Sequence, residues 1–296
     1  MWRRREERPV KPGAFEYVAP ESLEAALAVL TDRGEDASIL SGGQSLLPLL
    51  NMRLARPEVL LDINRLGELA TWEVTGDEVR VGALVRAARL ERDAEVLATL
   101  PVLPEAISHI GHPQIRNRTT VGGNVAHADP SSELPGVLAA LDGSVELRSQ
   151  SGTRTLSWDE FFVSVFTTAR EPEELVIGVR FPLLRGWDVR FTEMARRHGD
   201  FPIVALTVAV QEDGGVLTGL RAAATGVADR PVRLTEVEQA ATGRSLDDAV
   251  IADLAGLARD AVDPQPDGAG SAEYRKHLVG TLLSRVLAPE LGRSAA

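Results

Sequence analysis

Two glycine pairs, each closed by a carboxamide residue, constrain this chain more than any other feature: Gly42-Gly43-Gln44 and Gly122-Gly123-Asn124. A residue without a Cβ reaches positive φ freely and lets backbone approach a ligand closely. Successive amide N–H groups in such a turn can point into one concavity and bind a phosphate. The first pair follows the β-like stretch Ala37 to Leu40 and is framed by Ser41 and Ser45, with Leu46 next. The second follows Thr120-Val121. Two such nests, brought together by the fold, would hold the two phosphates of a dinucleotide. The better-known phosphate signatures are missing. No Gly-x-Gly-x-x-Gly follows a strand, so a Rossmann site is unsupported, and no Gly-Lys-Ser/Thr marks a P-loop.

The flanking pattern is that of a mixed fold. A first helix fits Leu23, Leu27 and Leu30, with Ser22 as N-cap and Gly34 as its stop. A short apolar helix over Leu46 to Leu54 and a strand over Val59 to Ile63 follow. Further on, Val79 to Val81 read as extended, and Val85 to Leu97, Leu103 to Ile110 and Leu134 to Leu141 as helical. Asp142-Gly143 is a turn into a strand at Val145 to Leu147, and Leu175 to Phe181 is another strand, ending at Pro182. Beyond Leu184 the pattern changes. Strands over Val189 to Met194 and Ile203 to Val210 lead through a hairpin turn at Asp213-Gly214-Gly215 into Val216 to Ala224. Helices over Leu234 to Ala241, Leu246 to Ala261 and Ala272 to Leu287 close the chain. The expected fold class is α+β, with a charged tail over 1–12, one domain over 13–184 and a second over 185–290.

Composition removes several functions. The chain has no cysteine, so it can hold no disulfide and no cysteine-ligated iron–sulfur cluster or zinc. Its net charge of −11, without a basic block beyond the Arg-rich start, argues against nucleic acid. Met1 to Pro9 lacks the apolar stretch of a signal peptide, and Glu6 and Glu7 stand where a twin-arginine signal would turn apolar. No apolar run approaches the ~20 residues that span a bilayer. A cytoplasmic protein without membrane or nucleic-acid partners is expected.

Other chemistry-bearing residues carry less. His109, His112 and His127 lie close in sequence but without the ligand spacing of a zinc motif. Asp129 and Glu133 would make a carboxylate pair if one helical turn held both, but no nucleophile accompanies them; Asp129 before Pro130 also reads as a turn. Arg196 and Arg197 beside Gly199-Asp200 would suit an anion or simply face water.

The motifs taken together resemble a known family. Ser41-Gly42-Gly43-Gln44-Ser45-Leu46-Leu47-Pro48, Asn51 to Pro57, Leu61-Asp62-Ile63, Gln114 to Asn117 leading into Thr120 to Pro130, Ala195 to Asp200, and Gly270 to Arg275 are similar, in order and spacing, to the FAD-binding medium subunits of molybdenum hydroxylases of the carbon monoxide dehydrogenase and xanthine dehydrogenase type. The resemblance covers about residues 13 to 288. It implies a two-part FAD-binding domain of the PCMH type, followed by a carboxy-terminal domain that helps cover the flavin. Loops matching Ser41 to Ser45 and Thr120 to Asn124 would hold the FAD phosphates through backbone amides. Glu133 would contact the nucleotide-sugar portion, and Leu175 would lie near the flavin. Glu193 stands where many relatives carry a lysine approaching the ring, and Phe201 where several carry a tyrosine. The implied partners are a large molybdopterin subunit and a small subunit with 2Fe–2S clusters, in a dimer of heterotrimers. Electrons would pass from molybdenum through the clusters to FAD and on to an external acceptor. The absence of an acid–base or nucleophile set fits such a relay. A free-standing FAD-dependent oxidase or reductase shares the loops, and a flavin-free interaction module shares only the fold.

Overall fold

The computed structural model describes residues 11–288, so the first ten residues of the expected charged tail lie outside the described part. The chain begins with a small parallel sheet in the order Glu16–Val18, Val59–Asp62, Ala37–Leu40. The helix Leu23–Arg33 covers it. Ser22 Oγ accepts the amide of Ala25, Ala26, Leu27 and Leu30 are buried, and Gly34 at φ 50° ends the helix. The central strand Val59–Asp62 buries Val59, Leu60 and Leu61 because helix and sheet neighbours cover both its faces.

A five-stranded antiparallel sheet follows, in the order Trp72–Val74, Glu78–Gly82, Leu175–Pro182, Ser144–Ser149, Gly152–Ser157. Its long strand Leu175–Pro182 joins two cores. Leu175 packs with Leu27, Leu30 and Leu61 of the parallel layer. Val176, Val179 and Phe181 pack in the larger cluster with Val102, Ile107, Leu134 and Leu138. Glu146 on this sheet is 5% exposed and bridges Arg80 and Arg180, each at 2.6 Å. Burial opposes its charge, but the two guanidiniums hold its carboxyl below the usual range.

The expected helix over Val85 to Leu97 is instead two short helices, Ala87–Leu90 and Ala94–Thr99. The carboxylate of Asp93 accepts the amide of Val96 at 3.0 Å, so the local side chain restarts the helix. Val102–His109 forms as a helix. Three short strands missed by periodicity, Glu16–Val18, Trp72–Val74 and Gly152–Ser157, are all edge strands of their sheets.

The remaining chain forms a four-stranded antiparallel meander, Asp188–Met194, Val204–Asp213, Val216–Thr225 and Val232–Arg233, backed by the helices Thr235–Ala241, Asp248–Asp260 and Ala272–Leu287. Gly214 at φ 57° and Gly215 at φ 84° make the hairpin turn. The last two helices touch closely: a Cβ on Gly280 would stand 2.7 Å from the carbonyl oxygen of Ala255. Arg275, 4% exposed, pins this layer by donating to the carbonyls of Ile203 at 2.5 Å and Gly226 at 2.6 Å. The meander also reaches the first core, where Phe191 and Ala205 join the larger cluster.

Candidate cofactor site

Where the parallel sheet, the antiparallel sheet and the meander meet, the surface opens into a cleft of about 580 Å³. Ligand sites commonly fall between about 300 and 1,000 Å³. Ser41, Gly42, Gly43, Gln44, Ser45, Leu46, Thr120, Gly122, Gly123, Asn124, Glu133, Leu175 and Phe201 all line it; Glu193 does not.

The first glycine loop behaves as the sequence implies. Gly43 sits at φ 74°, and its carbonyl accepts the amide of Leu47 at 3.1 Å, which starts the helix Leu46–Asn51. The amides of Gly42, Gly43, Gln44, Ser45 and Leu46 have no acceptor among the described residues, so a run of donors is left at the cleft wall. Gly42 is required for a different reason. A Cβ there would lie 2.4 Å from the carbonyl oxygen of Arg118, which precedes the second loop. Asn64 braces the contact. Its Nδ2 donates to the Ser41 carbonyl at 2.9 Å, and its Oδ1 accepts from Arg86 Nη2 at 2.6 Å. The other end of that guanidinium, Nη1, donates to the Arg118 carbonyl. Asp62 anchors Asn64 from below and accepts from the Tyr17 hydroxyl at 2.6 Å. Burial works against the Asp62 charge, yet the donors Tyr17 and Asn64 hold its carboxyl below the usual range. Asn64 and Arg86 escaped the sequence reading because neither belongs to a glycine loop.

The second glycine pair is not an amide nest. Thr120 caps the helix Val121–His127, its Oγ1 accepting the amide of Gly123 at 3.2 Å. Gly122 and Gly123 form the first helical turn, and neither has positive φ. The amides of Val121 and Gly122 are taken by the carbonyls of Val85 and Ala83, each at 3.0 Å, and that of Asn124 by Thr120 at 2.9 Å. What demands glycine here is space. A Cβ on Gly122 would stand 2.5 Å from that of Ala83, and one on Gly123 would stand 2.6 Å from both Ser41 Oγ and Thr120 Oγ1. Those hydroxyls are 3.1 Å apart and tie the loops together. Thr120 stands three residues before Gly123, the spacing at which an N-cap hydroxyl reaches a backbone amide of the first helical turn. Asn124 accepts from Ser132 Oγ at 2.9 Å, leaving its Nδ2 without a partner among the described residues.

The far end of the cleft is acidic. Glu133 opens the helix Glu133–Ala140 and is 3% exposed. Burial, opposed by its own amide and reinforced by the nearby Glu193, pushes its carboxyl up to about 8. Glu193 neither turns to solvent nor pairs with Arg196. Its side chain is buried, with Oε1 3.0 Å from His109 Nδ1, and Oε2 has no partner among the described residues. The hydrogen bond to Glu193 raises the His109 imidazole above its ordinary value, against burial. The antiparallel pairing of Asp188–Met194 with Val204–Asp213 fixes the Glu193 strand, and Phe191 on it packs 5.3 Å from the His109 ring. Arg196 instead donates to the Gly268 carbonyl at 2.5 Å. Phe201, 64% exposed, stands at the mouth, and Leu175, 2% exposed, in the wall.

Asp129 precedes the helix and accepts the amide of Ser131 at 2.9 Å, so it forms a turn and shares no helical turn with Glu133. His127 packs on Phe166 at 4.9 Å, and burial lowers its imidazole. Among the described residues no group of His, Asp and Glu is arranged to hold a metal, and no helix is long and apolar enough to cross a membrane. Arg170 is the one arginine or lysine in the lining among the described residues, its Nη1 shared by the carbonyls of Glu171, Pro172 and Glu174.

An amide-lined glycine loop facing a second, glycine-requiring helix turn across a large cleft defines a dinucleotide-cofactor carrier. Comparison with known proteins gives the cofactor. Residues 13–184 match the FAD binding domain in molybdopterin dehydrogenase, and residues 189–289 match the CO dehydrogenase flavoprotein C-terminal domain. The chain is 41% identical over 287 residues to 6-hydroxypseudooxynicotine dehydrogenase complex subunit alpha of Paenarthrobacter nicotinovorans, covering 96% of this chain and 97% of that protein. It is 37% identical over 283 residues to caffeine dehydrogenase subunit beta of Pseudomonas sp., covering 94% and 95%. A structure of reconstituted CO dehydrogenase from Oligotropha carboxidovorans superimposes with a TM-score of 0.91 at 34% identity, covering 96% of this chain and 99% of that one. The chain belongs to the FAD-binding medium subunits of the molybdenum hydroxylase family, an oxidoreductase subunit with a two-domain α+β architecture and an electron-transfer role.

Proposed function

We propose that this chain binds one FAD non-covalently in the cleft and carries electrons from 2Fe–2S clusters on a small partner subunit to an external acceptor. The clusters would in turn be reduced from a molybdopterin subunit, the three chains forming a dimer of heterotrimers in the cytoplasm. The observation that carries the reading is the run of unpartnered amides from Gly42 to Leu46 at the cleft wall. Those donors suit the FAD diphosphate, because an anion among oriented amides needs no counter-ion of its own. Ser41 and Thr120 hold the loops in register, and Gly123 keeps the passage between them open. Asn124 has an amide donor to offer. Glu133, Leu175 and Phe201 line the rest of the cofactor path, whereas Glu193 stands outside the lining and engages His109.

Bound FAD supplies reversible two-electron and one-electron chemistry. The chain's own residues bind and orient it, and the buried walls at Leu175 and Val176 keep water from that side. The lack of cysteine in this chain fits iron–sulfur clusters carried by a partner subunit.

The test is purification of the chain alone and in its native complex. The isolated protein should be yellow, with a flavin absorbance that leaves it on denaturation and filtration. Native pull-down should recover two further chains together with molybdenum and iron. A protein that stays colourless with added FAD would overturn the binding, and substrate turnover by the isolated chain would favour a free-standing flavoenzyme.

A further inference from the structure

One arginine ties the two glycine loops together from behind. The backbone of Arg86 pairs with Thr120 in an antiparallel bridge. Beside that bridge the Ala87 amide donates to the Thr119 carbonyl at 2.9 Å, and the Val121 amide to the Val85 carbonyl at 3.0 Å. The second loop is therefore laid along the segment that carries Arg86. The Arg86 side chain turns instead to the first loop. Its Nη2 donates to Asn64 Oδ1 at 2.6 Å, and Asn64 Nδ2 donates on to the Ser41 carbonyl at 2.9 Å. Thr120 Oγ1 and Ser41 Oγ, 3.1 Å apart, close the ring.

Arg86 is the one charged member of this ring, and both oxygens it donates to, Asn64 Oδ1 and the Arg118 carbonyl, are neutral. Burial first, and the Arg118 charge second, pull its guanidinium below the ordinary arginine range, with Asp62 acting the other way. A cation so placed is short of negative charge. Arg86 is not part of the cleft lining, so it reaches the cleft only through the peptide that Asn64 holds. The C=O and N–H of a trans peptide point in opposite directions. With the Ser41 carbonyl turned to Asn64, the Gly42 amide points away from the brace, and it has no acceptor among the described residues. Gly42 has no side chain, so what it presents to the cleft is backbone. A donor on a peptide carbonyl strengthens the N–H of the same unit, because linked hydrogen bonds polarise one another.

We infer that Arg86 is a positioning residue for the FAD diphosphate: through Asn64 it fixes and polarises the Ser41–Gly42 peptide, so that the Gly42 amide meets the anion as a strengthened donor. This rests on the proposed FAD binding, and it adds a cation that acts on the diphosphate without touching it.

Arg86→Met in the full chain keeps the reach of the side chain and removes its donors. It should bind FAD about tenfold more weakly, measured by quenching of flavin fluorescence. At saturating FAD its phosphorus NMR spectrum should show the diphosphate resonances displaced from their wild-type positions, which a loss of fold stability alone would not do. Arg86→Lys retains the charge and one donor, and should stay within about threefold of wild-type affinity. Asn64→Ala cuts the same relay if the methionine variant fails to fold, and should show the same loss and the same displacement. Unchanged FAD affinity in Arg86→Met would overturn the inference, as would weakened binding with the diphosphate resonances unmoved. A lysine variant as weak as the methionine one would also overturn it, since the charge would then contribute nothing. Failure of the wild type itself to bind FAD would instead refute the proposed function, so the two failures are distinct.

Discussion

Replacing Glu133 by Gln should change how the stability of the FAD-free protein depends on pH. Glu133 is 3% exposed at the head of its helix, and the His109 imidazole, which would favour its charge, is already engaged by Glu193. Burial therefore favours the neutral acid and pushes it up to about 8 from an ordinary 4.5. Because the folded value lies above the unfolded one, the neutral acid's contribution is fully present below pH 4.5 and is lost as pH rises to about 8. At about 1.4 kcal/mol per pH unit, that interval amounts to roughly 5 kcal/mol, an upper figure because partial solvation of the opened cleft would reduce it. Gln cannot ionise, so the stability of Glu133→Gln minus that of wild type should climb steadily from pH 5 to pH 8 and then level off. Urea titrations at half-unit intervals of pH measure this directly, and other titrating groups cancel in the difference. Parallel curves for the two proteins across that range would refute the assignment of a neutral Glu133.

Three further outcomes follow from the same geometry. Gly42→Ala and Gly123→Val should each weaken FAD binding at least tenfold, the first by pushing the Arg118 carbonyl away and the second by colliding with Ser41 and Thr120; fluorescence titration checks both, and wild-type affinity in either folded variant would contradict the loop packing. Glu193→Gln should bring the His109 imidazole down toward its ordinary value, since its principal hydrogen-bond acceptor loses its charge; an NMR titration of the His109 ring reads this, and an unmoved midpoint would deny the pair. Arg116→Ala should destabilise the protein by about 3 kcal/mol in chemical denaturation, because it strands Glu91, which Arg116 grips at 2.8 and 3.0 Å from a site 7% exposed; a change below about 1 kcal/mol would mean that solvent replaces the guanidinium there.

Local chemistry was readable wherever the chain carried its own answer. Ser22 before Leu23 and Gly34 after Arg33 bracket a helix because the capping hydroxyl and the positive-φ residue lie within the segment they terminate. Gly43 at φ 74° and the free amides after it are likewise a property of a short stretch, and the α+β class followed from the order of such stretches. The edge strands Glu16–Val18, Trp72–Val74 and Gly152–Ser157 were invisible for the opposite reason. They are short and largely unburied, so their own residues carry no apolar alternation for periodicity to act on.

The site divided in the same way. Which residues crowd the cleft was written in the two glycine motifs, but what each one does there was decided by distant neighbours. Gly122 became helical because the carbonyls of Ala83 and Val85 claim the amides that a nest would have kept free. Glu193 was withdrawn from the cleft by His109, on a helix that no local pattern connects with its strand. Sequence determined the backbone conformations and donors this chain could offer. Tertiary contact determined which donors remained unpaired, because a hydrogen-bonding group is available to a ligand only where the fold supplies no other partner.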